Sequence, residues 1–178
     1  HARAWEIKEA MGYDEYNKLR VIGFVRHPFE KLVSTYFYNR KQRLLDAFKI
    51  RGEKLKLKRM VSSFVSQLIT KVFPFSFWAL FFPMKSSYEY FFDRKGNRIV
   101  EYLGRTDYLN DDIAILLKEL GIKASVENVH ENKTVHENWI KYIQDGITKR
   151  HLQNKFKKDI ELYATVTKEQ ATFRDSTA

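Results

Sequence analysis

The stretch Val21–Arg40, VIGFVRHPFEKLVSTYFYNR, decides how the chain is read. Its start belongs to an apolar run from Leu19 to Val25, interrupted only by Arg20, with β-branched residues and no polar alternation. Such a run predicts a strand buried on both faces, and therefore a parallel one. Pro28 suits the first turn of a following helix, where its missing N–H costs nothing. Phe29, Leu32, Val33, Tyr36 and Phe37 then recur at helical spacing and form a core face. Ser34 lies about 130° from the centre of that stripe at 100° per residue, so it is not expected in the core. Arg26 closes the strand. A core strand joined to a core helix does not require an arginine at the junction, whereas an anion site does. A guanidinium at a strand's carboxyl end, a helix N-terminus and a hydroxyl together suit a phosphate. A surface arginine beside a capping turn is the plainer alternative.

AWEIKEAM (residues 4 to 11) reads as a short helix closed by Gly12. Residues 41 to 59 are basic and end in KLKLKR, a solvated face or loop. Residues 60 to 83 are the most apolar part of the chain and approach a transmembrane length. Lys71 and Pro74 interrupt them, which predicts a helix ending near Val72 followed by an aromatic loop. DRKGN at residues 93 to 97 is a hairpin-type turn leading into a second strand, Arg98 to Gly104. Asn110 or Asp111 is the expected cap of a helix with the stripe Ile113, Leu116, Leu117 and Leu120, closed by Gly121. A further helix from about Thr148 to Tyr163 carries Leu152, Phe156 and Ile160. The residues after Tyr163, 164–178, have no clear periodicity and are expected to be a weakly ordered tail. Strands alternating with helices argue for an α/β layer fold.

The 178 residues suit one domain and a real core. There are no cysteines, which excludes a disulfide scaffold and a cysteine-based zinc site and agrees with a reducing compartment. The net charge of +10 favours an anionic partner: a nucleotide, an acidic glycan, nucleic acid or a membrane surface. His130 and His136 flank a run with Glu131 and Glu137, but lack cysteine partners and a helical His-x-x-x-His spacing. A polar connecting loop is the expectation there, with no metal.

VRHPFEKLVSTYFY resembles the 3′-phosphate-binding motif of sulfotransferases, especially the carbohydrate-type branch. His1-Ala2-Arg3-Ala4 with Glu6-Ile7 looks like the family's His-Ala-Thr/Ser-Ala segment. Gly104 to Leu109, followed by Asp111-Asp112, resembles its Gly-Arg-aromatic-Glu-Asn-Leu and Asp stretch. His130 to Thr134, then Tyr142 and Asp159-Ile160, resemble its His-x-Asn-x-Ser and late Tyr and Asp-Ile positions. The resemblance implies an α/β, P-loop-like three-layer fold, with a central parallel sheet flanked by helices and a helix-rich C-terminal half. It also implies transfer of a sulfuryl group from 3′-phosphoadenylyl sulfate (PAPS) to a hydroxyl of a carbohydrate or similar acceptor. In that reading Arg26 and Ser34 hold the cofactor's 3′-phosphate and His1 is the base that activates the acceptor.

The sequence departs from that pattern in two places. Thr106-Asp107 stands where the family has an aromatic-Glu pair. The family's phosphate-cradling loop, with its lysine, precedes the position of His1, so the chain is expected to be N-terminally trimmed, and no signal peptide is visible. A cytoplasmic site is expected, or the Golgi lumen for an animal protein. The basic run Lys54 to Arg59 suits an acidic glycan, and the aromatic run Phe73 to Phe82 suits an acceptor cleft or peripheral membrane contact. Two competing readings are a non-catalytic basic α/β domain that binds RNA or another polyanion, and a degenerate sulfotransferase fold kept for interactions. No specific nucleic-acid signature is present.

Overall fold

A computed structural model describes residues 2–42, 56–124 and 137–177, with the side chains of 56–60 and 173–177 outside the description. His1, most of the basic segment and the His130–His136 run therefore lie outside the described residues. Length alone suits one domain, yet the chain divides into two compact units. Unit 1 comprises His1–Pro28, Lys85–His130 and Phe156–Ala178, and unit 2 comprises Phe29–Met84 and Glu131–Lys155.

Unit 1 is built on two strands, β1 (Ile22–Val25) and β2 (Tyr102–Arg105), which pair in parallel with Ile22 opposite Tyr102 and Val25 opposite Arg105. The expected parallel strand is thus present but shorter, and Arg26 follows it rather than ending it. The second strand starts four residues later than expected. Residues 98–101 are diverted first: Phe92 and Arg98 form an antiparallel bridge around the DRKGN turn. The Arg98 side chain also donates to the carbonyls of Val100 and Glu101 and to Glu169. Asp93 holds the turn by accepting from the backbone N–H groups of Lys95 and Asn97. Among the described residues the sheet has only these two strands, so the fold is a mostly helical α/β arrangement.

One sheet face packs on an apolar cluster. Val25, Val100 and Leu103 meet Ala4 of helix α1 (Ala4–Met11) and Leu162 and Val166 of helix α9 (Lys157–Thr177). On the other face the Phe24 ring packs against Gly104, where an added Cβ would come within 2.5 Å of it. Gly104 is therefore needed for close approach. The Tyr102 N–H donates to Val21, so strand alternation turns the backbone groups of Leu103 and Arg105 away from β1. Those outward groups are met by side chains. Gln170 of α9 donates to the Leu103 carbonyl, and Asp112 of helix α7 (Leu109–Glu119) accepts from the Arg105 N–H. This covers the far edge of β2 and stops it recruiting another strand.

Neither Asn110 nor Asp111 is the cap of α7: the helix starts earlier, with Tyr108 as its N-cap, and Asp112 in its first turn is the fully buried acidic residue that ties it to β2. Gly121, at φ +66°, closes α7 as expected, with the Ile122 N–H returning to the Leu117 carbonyl. The residues after Tyr163, expected as a weakly ordered tail, continue α9, and both Val166 and Gln170 are buried. Asp159, part of the Asp-Ile pair, caps the short helix α6 (Tyr88–Phe91) by accepting from Ser86 Oγ and the N–H groups of Ser87 and Tyr88.

Unit 2 holds α3 (Pro28–Lys41, from Phe29 on), α4 (Lys56–Val72), α5 (Phe75–Phe81) and α8 (Gly146–Lys155). The segment after Val72, expected as an aromatic loop, is the helix α5: Pro74 precedes it in extended geometry, and Phe75, Trp78 and Ala79 are buried at helical spacing. The single helix expected from Thr148 to Tyr163 is two, α8 and α9, separated at Phe156. A stripe at four-residue steps hides that break, because Leu152 is buried in unit 2 and Phe156 in unit 1. Lys155 closes α5 by donating to the carbonyls of Ala79, Leu80 and Phe82.

Helix α4 is unusual in which side it buries. Gln67 and Thr70 are buried, with Ser63 and Ser66 half-buried beside them, and Asn39 Nδ2 donates to Ser66 Oγ at 3.0 Å. Its valines and Leu68 face outward. Among the described residues no helix is long and apolar enough to cross a membrane.

Candidate functional site

The carboxyl ends of β1 and β2 bring two short stretches side by side in unit 1. Because Val25 is opposite Arg105, the parallel register carries Arg26 and His27 alongside Thr106 and Asp107. The edge of a parallel sheet at its carboxyl end is where α/β folds bind ligands. Arg26 and His27 are both half-buried. Tyr163 of α9 joins them: its hydroxyl donates to Asp107 Oδ2 at 2.7 Å, and its ring stands edge-on to His27 at 5.2 Å.

The electrostatics assign different roles to these groups. Burial pushes the His27 imidazole below the ordinary histidine range, and the Asp107 carboxylate opposes that shift without reversing it. His27 is therefore neutral near pH 7 and able to accept a proton. Burial first, then the bond to Asp107, pushes the Tyr163 phenol up, so it stays protonated and donates. Arg105 is committed elsewhere. Its guanidinium forms a two-pronged pair with Asp112, at 3.0 and 2.7 Å, and lies 4.3 Å from the centre of the Tyr108 ring. The pair is buried, with side chains 6% and 0% exposed. Arg105 is thus a structural cation, while Arg26 is the arginine placed immediately past the strand end.

His27 gives this edge a pH signature. A histidine whose folded pKa is depressed binds its proton more readily when unfolded, so stability rises with pH. The contribution is fully present above the ordinary value near 6.5 and is lost as pH falls below it, toward the depressed folded value. The urea midpoint of the protein should fall on acidification from pH 7 to 5, and His27→Gln should flatten that slope. An unchanged slope in the variant would show that His27 is not the group responsible.

Sequence reasoning placed Arg26 at this edge. It gave no site role to His27, Asp107 or Tyr163. The first two follow the ends of the two strands directly, so parallel pairing alone would have juxtaposed them; nothing in the sequence pairs Tyr163 with Asp107 across 56 positions. Ser34 lies on α3 in unit 2 and is half-buried, as is Thr35, while Leu32 and Val33 are fully buried. His1 is outside the described residues. Among the described residues no group of three or more His, Asp or Glu side chains is placed to hold a metal ion. Compared with known proteins, the chain matches no family model, no curated protein and no solved structure.

Proposed function

We propose that the chain binds the 3′-phosphate of an adenylyl sulfate donor and belongs to a PAPS-dependent sulfotransferase acting on a hydroxyl of a carbohydrate or similar acceptor. The observation that carries the reading is the position of Arg26, directly past the carboxyl end of a parallel strand and two residues before a helix that starts on Pro28. That order of strand, arginine, proline and helix is the one the sequence resemblance rests on. The resemblance gives Ser34 to the same phosphate and the acceptor's proton to His1.

Sulfuryl transfer, like phosphoryl transfer, depends on positioning the reactants and on stabilising charge spread over oxygens. In this reading Arg26 supplies affinity and orientation rather than chemistry. His27, kept neutral by its burial, adds a proton acceptor next to that anchor, and the protonated Tyr163 keeps Asp107 occupied.

Calorimetry tests the reading with two ligands, 3′-phosphoadenosine 5′-phosphate and adenosine 5′-phosphate, which differ only in the 3′-phosphate. The first should bind more tightly. Arg26→Ala should remove a charge-assisted contact of about 1.5–3 kcal/mol, weakening that ligand roughly tenfold to a hundredfold. Adenosine 5′-phosphate should be unaffected by the substitution. Equal binding of both ligands by the unsubstituted chain, or an Arg26→Ala chain that still distinguishes them, would remove the assignment.

A further inference from the structure

The net charge of the protein is unevenly divided between its two units. Unit 1 has 16 Lys and Arg and 16 Asp and Glu, and is neutral; unit 2 has 16 basic residues against six acidic ones, and so holds the whole excess of +10. The same unit exposes a continuous apolar stripe. On α4, Val61, Val65, Leu68 and Val72 fall within one narrow arc of the helix, and all four are exposed, Val72 at 65%. Phe73 follows, and Phe77 and Phe81 continue on α5. Their rings run as a ladder, 4.7 Å from Phe73 to Phe77 and 5.0 Å from Phe77 to Phe81, and Phe81 is 70% exposed.

This stripe does not arise from a shortage of polar residues on the helix. α4 has them and turns them inward: Gln67 and Thr70 are buried, and the side-chain oxygen Oε1 of Gln67 is buried with no hydrogen-bond partner among the described residues. A helix that buries its polar side and exposes its apolar side is stable in water only at a cost, since the reverse orientation would bury the valines. The arrangement fits a surface whose outer side contacts an apolar medium. There are no acidic residues anywhere in α4, and it begins with Lys56, Lys58 and Arg59. Basic residues beside exposed aliphatic and aromatic side chains are the composition of a helix lying in the headgroup region of a bilayer.

We propose that α4 and α5 form a docking surface for an anionic membrane, with the valines, Leu68 and the phenylalanines entering the acyl boundary and the excess positive charge of unit 2 supplying the attraction to anionic headgroups. The inference is independent of the nucleotide reading. RNA satisfies the charge equally well, but bases stack on rings and gain nothing from Val61, Val65, Leu68 and Val72. A lipid surface uses both the charge and the aliphatic stripe.

The test is sedimentation of the full chain with vesicles of phosphatidylcholine alone or mixed with phosphatidylserine. The chain should bind the mixed vesicles, more weakly as salt rises. Two double substitutions on separate helices, Val65→Ser with Leu68→Ser and Phe77→Ser with Phe81→Ser, should each lower the partition at least about tenfold. Far-UV circular dichroism should show each variant still folded. Vesicle binding unchanged in both folded variants would overturn the proposal. So would binding of polyuridylate without vesicle binding. A third contrary result would be a chain that binds no vesicles and is dimeric, with both variants monomeric, since the stripe would then be an interface between copies.

Discussion

Asp112→Ala should be the most damaging single substitution in unit 1, with an expected loss of about 3–5 kcal/mol. Asp112 is fully buried and holds three groups: Nε and Nη2 of Arg105 through its two oxygens, and the Arg105 backbone N–H at 2.7 Å. Removing the carboxylate leaves a guanidinium buried without its counter-charge and a strand-edge N–H without an acceptor. Asp112→Asn retains one carbonyl oxygen for the N–H and should cost less. The two variants separate the contributions of charge and hydrogen bonding. Urea unfolding followed by far-UV circular dichroism measures both, and a loss under about 1 kcal/mol for Asp112→Ala would show that the pair contributes little.

Trp78→Ala is the corresponding prediction for unit 2. Trp78 is 2% exposed, stacks on Phe82 at 4.2 Å and meets Tyr36 at 5.2 Å. Tyr36 in turn donates its hydroxyl to the Phe73 carbonyl, so the indole supports the contact that fixes where α4 ends. Loss of a buried tryptophan side chain removes its transfer free energy and leaves a cavity, together about 3–5 kcal/mol. Phe81→Ala, one turn further on α5 but 70% exposed, is the control and should change stability by less than about 0.5 kcal/mol. Equal effects from the two substitutions would contradict the placement of α5.

The sequence was most legible where one local pattern determined one local structure. The apolar run through Val25 gave a parallel strand, DRKGN gave a turn, and Gly121 closed α7 because only a residue tolerant of positive φ ends the helix that way. Local patterns failed where the determining contact was distant. The length of β2 is fixed by the diversion of residues 98–101 toward Glu169, more than sixty positions away. The tail after Tyr163 lacks a periodic stripe, yet Val166 packs against the sheet cluster and Gln170 against the β2 edge. A buried glutamine does not register as hydrophobic, so a helix anchored by one reads as polar.

The candidate site shows the same division. Arg26 was visible as a charge that interrupts an apolar run beside a proline. Arg105 and Asp112 were also singled out, through the family-like Gly-Arg and Asp stretches, but their burial and mutual pairing make them supports of the edge. The orientation of α4 was the least legible feature. Its sequence carries an apolar stripe and a polar one, and pattern alone assigns the apolar stripe to the interior. The structure buries Gln67 and Thr70 and exposes Leu68.

A crystal structure of the full chain with 3′-phosphoadenosine 5′-phosphate tests the central assignment most directly. The expected result places oxygens of the 3′-phosphate about 2.7–2.9 Å from the Arg26 guanidinium, beyond the carboxyl ends of β1 and β2. A nucleotide bound elsewhere, or bound with its 3′-phosphate turned away from Arg26, would contradict it.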